Sequence, residues 1–191
     1  MGEPATRVGT MRDFLDLLER ERPGAKQLIL DRFDLQSREL FDSRLGFSWL
    51  PIAHGHFAVE GIFDVLGPKE GIRFFRESFR NIVNRPIFRS FISGILSLWG
   101  SDPDRIFRQL PRGWELGFRD FCHVHTEEPE PGRIRVVFAD IHPEVRQHSA
   151  YLSCWHGICQ GMADLVEKEV QLDFEVAPDR SQAVATFRWL P

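Results

Sequence analysis

Two periods of apolar spacing divide this chain. Up to about residue 118 the apolar positions recur every three to four residues, the spacing of helices with one buried face. From Arg119 the period drops to two. Phe121, His123 and His125 alternate with Cys122, Val124 and Thr126, and Ile134, Val136 and Phe138 share a face after a proline-rich turn. Near the C-terminus Val170, Leu172, Phe174 and Val176 alternate with polar residues, and Ala183, Ala185, Phe187 and Trp189 complete a last strand. Between these hairpins, residues 142–168 return to the helical period. Val145, Leu152, Trp155, Cys159, Met162 and Val166 fall on one line, with Tyr151, Cys154, Ile158 and Leu165 beside it. The pattern predicts one long helix around which the rest is organised. Ser153, Gly157 and Gly161 form a line of small residues on it. An interior glycine costs about 1 kcal/mol against alanine, so close approach of another backbone or a ligand is the expected reason for them.

In the helical half, residues 1–9 read as a frayed end, and Thr10 with Asp13 as a capping box opening a helix that carries Phe14, Leu15 and Leu18. A second helix is expected over 25–33, and residues 34–47 as loop with a helical turn. Trp49-Leu50-Pro51 would open a third helix, with proline in its first turn, ending at Gly67. A fourth starts at Pro68, a strongly apolar fifth spans 88–99 with Phe91 and Ile95 inward, and a helix broken near Pro111 covers 101–118. The sum is an α+β fold: an N-terminal helical layer over about 10–118, then a ββαββ unit over about 119–191 forming a four-stranded antiparallel sheet. Without linker or repeat, one domain over 1–191 is expected.

Composition narrows the function classes. At 191 residues the chain can bury a real core without staples. Seventeen Phe against one Tyr mean aromatic packing with few hydroxyls to satisfy. A net charge of −4 gives no support to nucleic-acid binding. Three cysteines in no framework spacing suit a reduced, cytoplasmic protein, and no apolar run is long enough for a membrane span.

The chemistry-bearing residues form no standard motif. His123 and His125 share a strand face and could ligate zinc, but a site needs further ligands. His54 and His56, or Cys154, His156 and Cys159, have no matching spacing, so no metal is assigned. Cys159 sits in the apolar stripe, where burial suppresses thiolate formation. There is no nucleophile elbow, P-loop or dinucleotide fingerprint, so no catalytic residue is assigned. Arg73, Arg76 and Arg80 line one helix face, which reads as a solvated strip paired to Glu70 and Glu77.

Trp49-Leu50-Pro51, residues 66–89 (LGPKEGIRFFRESFRNIVNRPIFR), Leu110-Pro111-Arg112 and Phe187-Arg188-Trp189 resemble a paralogous family of about 200 residues in myxobacteria. More distantly, helices followed by ββαββ are similar to the superfamily of haem-nitric-oxide-binding (H-NOX) domains, 4-vinyl-reductase-type sensor domains and TRAPP tethering subunits. That resemblance implies an interior pocket for haem, a small aromatic or an acyl chain. H-NOX domains hold haem iron through a histidine on the helix before the sheet, and residues 102–118 contain none. They also use a Tyr-x-Ser-x-Arg signature for the propionates; here Tyr151, Ser153 and Trp155 leave the arginine missing. The functional expectation is therefore a bacterial, non-enzymatic sensor or carrier without haem cofactor. Its apolar ligand would be held by Phe91, Ile95, Tyr151, Trp155 and Cys159. The alternatives are a protein-interaction module or homodimer with a fully packed interior, or a metal- or haem-binding sensor.

Overall fold

The N-terminal residues are the first departure from the sequence pattern. In the computed structural model, which describes residues 2–83, 89–90, 93–94, 102–166 and 168–190, they are a buried strand and not a frayed end. Strand β1 (Ala5–Arg7) lies between β2 (Trp49–Pro51) and β3 (Phe118–Arg119), antiparallel to both. Ala5 and Thr6 are fully buried. Three short strands of two or three residues carry too little alternation to be read as β, so Trp49–Pro51 looked like a helix start. Helix α1 (Val8–Glu21) leaves β1 directly, two residues ahead of the expected capping box. Backbone takes the place of a side-chain cap: Val8 N–H donates to the Ser48 carbonyl at 3.0 Å and Gly9 N–H to the Gly46 carbonyl at 2.8 Å.

Helix α2 (Ala25–Leu30) follows the Pro23-Gly24 break. The segment expected as loop contains helix α3 (Leu35–Ser43), started by Asp34, whose carboxylate accepts from Ser37 N–H at 2.7 Å. Helix α4 (Ile52–Leu66) begins after Pro51, and α5 (Pro68–Ile82) opens on proline after Gly67 at φ 78°. The expected apolar helix over 88–99, with Phe91 and Ile95, lies largely outside the described residues. Helices α6 (Pro103–Arg108) and α7 (Leu110–Gly117) replace the single broken helix; the break falls at Gln109, and Pro111 sits in the first turn of α7 rather than interrupting it.

Strands β4 (His123–Glu130), β5 (Arg133–Ala139), β6 (Val170–Val176) and β7 (Ala183–Trp189) form the expected four-stranded antiparallel sheet, in the order β4-β5-β7-β6. Register places Ile134 opposite Phe187, Val136 opposite Ala185 and Phe138 opposite Ala183, one wholly buried apolar face. The organising helix is two helices. Helix α8 (Pro143–Gln147) ends at His148, whose ψ of 75° leaves the helical region, and α9 (Ser149–Ala163) restarts there. Nine of the fifteen residues of α9 are buried, which is the wide stripe its spacing predicts.

Helix α9 packs on α5 almost backbone to backbone. A Cβ added at Gly157 would stand 2.5 Å from the Ile72 carbonyl oxygen, and one at Gly161 would stand 2.7 Å from Phe79 Cβ. Only glycine permits this approach. Arg76 locks the pair at its end with two bonds to Asp164, at 2.6 and 2.8 Å, and Arg80 joins at 3.3 Å. Arg73 pairs with Glu70 and Glu77 as expected, so the arginine strip is accounted for by local and interhelical pairs.

Candidate ligand-binding site

Burial follows directly from the α9 stripe. Its inner line meets the sheet on one side and α7 on the other, and the residues that face both are aromatic. Trp155, fully buried, stacks on Phe138 at 5.4 Å and meets Trp114 edge-on at 5.0 Å, with Phe121 and Phe118 at 6.2 and 6.3 Å. Geometries of this kind are worth about 0.5–1.5 kcal/mol per pair beyond area burial. The indole N–H of Trp155 has no hydrogen-bond partner among the described residues.

Tyr151 lies one turn earlier, also fully buried, against Phe121 at 5.3 Å. Its hydroxyl and that of Thr6 converge on Gly55: a Cβ there would be 3.5 Å from the first and 3.4 Å from the second. Burial pushes the Tyr151 phenol well above its usual range, and the Thr6 hydroxyl offsets this only in part. Cys159 is fully buried and its thiol is raised by desolvation; Cys154 is raised the same way. Burial thus disfavours the thiolate at both, and for Cys159 this is the setting its place in the apolar stripe implied.

Of the five residues expected to hold a ligand, the structure brings Tyr151, Trp155 and Cys159 to one helix face inside the core. Phe91 and Ile95 lie outside the described residues. Beside this cluster, one layer further out, lies an open cleft. The cleft, of about 720 Å³, lies beside α7, β3 and the start of β4, with Trp114, Phe118 and Phe121 as its apolar wall. Arg119, His123 and Arg146 are among its polar walls. Cys122 also lines it; burial pushes that thiol up to about 12, so it offers packing and not nucleophilicity. These three rings also pack on Trp155, with Phe138 completing its enclosure, so the cleft borders the buried aromatic cluster. Sequence reasoning missed it because its walls come from separate elements, α7, β3, the start of β4 and α8, one of them a two-residue strand invisible to periodicity.

The histidines fall into separate settings. His54 Nδ1 is 2.8 Å from Ser37 Oγ, and His156 stacks on Phe174 at 5.1 Å. His123 and His125 stack at 5.5 Å on β4, the shared face expected for them. His56, Glu60 and His148 form a cluster no spacing predicted. His148 Nδ1 is 2.7 Å from Glu60 Oε1, and the His56 and His148 rings stack at 4.2 Å. The one signal in the sequence is the four-residue step from His56 to Glu60 on α4; His148 joins from 88 residues away.

No helix among the described residues is long and apolar enough to cross a membrane. No protein-family profile matches the chain, and no curated protein matches it. Solved structures do. An Fe(II) unliganded H-NOX protein from K. algicida superposes with a TM-score of 0.70 at 9% identity, covering 97% of both chains. An H-NOX protein from S. oneidensis in the Fe(II)NO state gives 0.67 at 10% identity, covering 96% of this chain and 99% of that one. Across nearly its whole length, then, the chain has the fold of H-NOX proteins.

Proposed function

We propose that this chain is a non-enzymatic sensor or carrier domain that takes an apolar small molecule, and does not hold haem as H-NOX domains do. One observation carries the reading: a cleft of about 720 Å³ whose apolar wall, Trp114, Phe118 and Phe121, borders the buried cluster around Trp155. A flat or acyl body would bury its area against these rings, at about 25 cal/mol per Å². Arg119, Arg146 or His123 would orient one polar or anionic group. In this reading Tyr151, Trp155 and Cys159 form the floor behind the cleft, and Phe91 and Ile95 stay proposed ligand contacts on the sequence pattern alone. Kinship with the myxobacterial family, a cytoplasmic location and a signalling role belong to the same proposal.

The residues present do not fit haem in the H-NOX manner. All seven histidines are among the described residues, and neither α6 nor α7, the helices before the sheet, carries one. Residues 84–101 contain none either. Trp155 stands where the propionate arginine of the signature is expected, and it is sealed among rings.

A second reading, a protein-interaction module, is favoured by one observation: Leu35, Leu45 and Phe47 expose large apolar side chains on the helical layer. Native mass spectrometry of the purified chain separates the two. A co-purifying molecule of a few hundred daltons, released on denaturation, is the expected result. A bare chain that binds only protein would favour the second reading, and a stoichiometric haem would overturn the first.

A further inference from the structure

We propose that His56, Glu60 and His148 bind a divalent transition-metal ion of the zinc class. The site shares no residue with the cleft and stands independently of the ligand proposal. One ligand atom from each of the three side chains lies within 4.8 Å of the other two. Two imidazoles and one carboxylate are a donor set that zinc and its first-row neighbours accept, with a position left for water.

The local fold builds this set. His56 and Glu60 are one helical turn apart on α4, so they project from the same face. The break between α8 and α9 puts His148 at the junction, where its ring stacks on that of His56 at 4.2 Å and 27°. His56 Nδ1 donates to the Ile52 carbonyl at 3.0 Å, which fixes the tautomer and leaves the Nε2 lone pair free. Metal-binding histidines commonly donate their other ring N–H to a backbone carbonyl, which holds the ring in place and keeps the remaining nitrogen as an acceptor. His56 Nε2 lies 4.0 Å from Glu60 Oε2, and His148 Nδ1 2.7 Å from Glu60 Oε1. Ligand atoms around a tetrahedral zinc with bonds of about 2.0–2.1 Å stand about 3.3 Å apart, so binding requires the two stacked rings to tilt their in-plane lone pairs toward one point and the three donor atoms to draw closer.

Glu60 and His148 remain partly open, with side-chain exposures of 38% and 21%, which leaves an entry path and room for water. On binding, the ion replaces the hydrogen bond between His148 Nδ1 and Glu60 Oε1, and the imidazole carries its proton on Nε2.

The test uses tag-free full-length chain stripped with a chelator and titrated with zinc chloride in a calorimeter, with cobalt chloride as a spectroscopic probe. One ion per chain and visible cobalt d–d bands are expected. Glu60→Gln, which preserves shape, and His148→Ala should each weaken zinc binding by roughly 100-fold, whereas His123→Ala should leave it unchanged. Circular dichroism confirms folding; if His148→Ala unfolds, Glu60→Gln alone decides. No stoichiometric zinc in wild type, zinc retained by folded Glu60→Gln, or zinc lost in His123→Ala would each overturn the proposal.

Discussion

At the scale of single residues, the sharpest constraint is Gly157. Its missing side chain lets α9 lie on the α5 backbone, and the nearest obstacle to a Cβ is the Ile72 carbonyl oxygen, which cannot swing aside. Gly157→Leu should therefore destabilise the protein by more than about 2 kcal/mol, overpacking outweighing the gain of about 1 kcal/mol in helix propensity. A urea denaturation midpoint equal to wild type would contradict this. His156 gives a second handle. Burial lowers its pKa from the ordinary 6.5, and Gln160 Nε2 lies 3.1 Å from its Nε2. The unfolded chain takes up a proton near 6.5, while the folded chain resists it until lower pH. Acid therefore favours the unfolded state, and stability should fall as pH drops below about 6.5. In His156→Gln that part of the slope should be absent, as thermal melts across the range would show. At this scale the sequence was informative: the small-residue line and the buried cysteines were both legible, because helical spacing alone places them inside.

At the scale of elements, legibility depended on length. The ββαββ unit and the long helices are visible because seven or more residues sustain a period, whereas the strand order β4-β5-β7-β6 is seen only in the structure. The sheet of β1, β2 and β3 is not visible, since its strands are two or three residues long and their partners lie far apart in sequence. Helix α3 was hidden by its charged sequence, in which only Ser37 and Phe41 are buried. The break at His148 was hidden because the apolar line runs on through it. Entry into α1 is the element most exposed to test. Gly9 touches the loop backbone at Gly46, where an added Cβ would stand 2.8 Å from the carbonyl oxygen. Gly9→Val should displace that loop, cost about 1–3 kcal/mol and lower the thermal midpoint. A variant as stable as wild type would show that the loop yields freely.

At the scale of the whole molecule, the H-NOX-type fold is reached at about a tenth sequence identity, and what such a fold keeps is a layer of helices closing over a sheet. Here the interior between them is filled by Trp155, Trp114, Phe138 and Phe121, and open space survives beside that cluster. The candidate site was half legible. Tyr151, Trp155 and Cys159 were placed on one inward face, yet the cleft wall depended on contacts between α7, β3 and β4 that no single segment encodes. The central claim is that this cleft takes an apolar ligand. Calorimetric titration of wild type and Phe118→Ala with medium-chain fatty acids and aromatic carboxylic acids tests it most directly. Phe118 lines the cleft and is only partly buried, so its truncation should leave the chain folded. Saturable 1:1 binding of at least one compound to wild type is expected, weakened roughly tenfold or more in Phe118→Ala. No binding by folded wild type across the panel, or equal affinity in the variant, would contradict it.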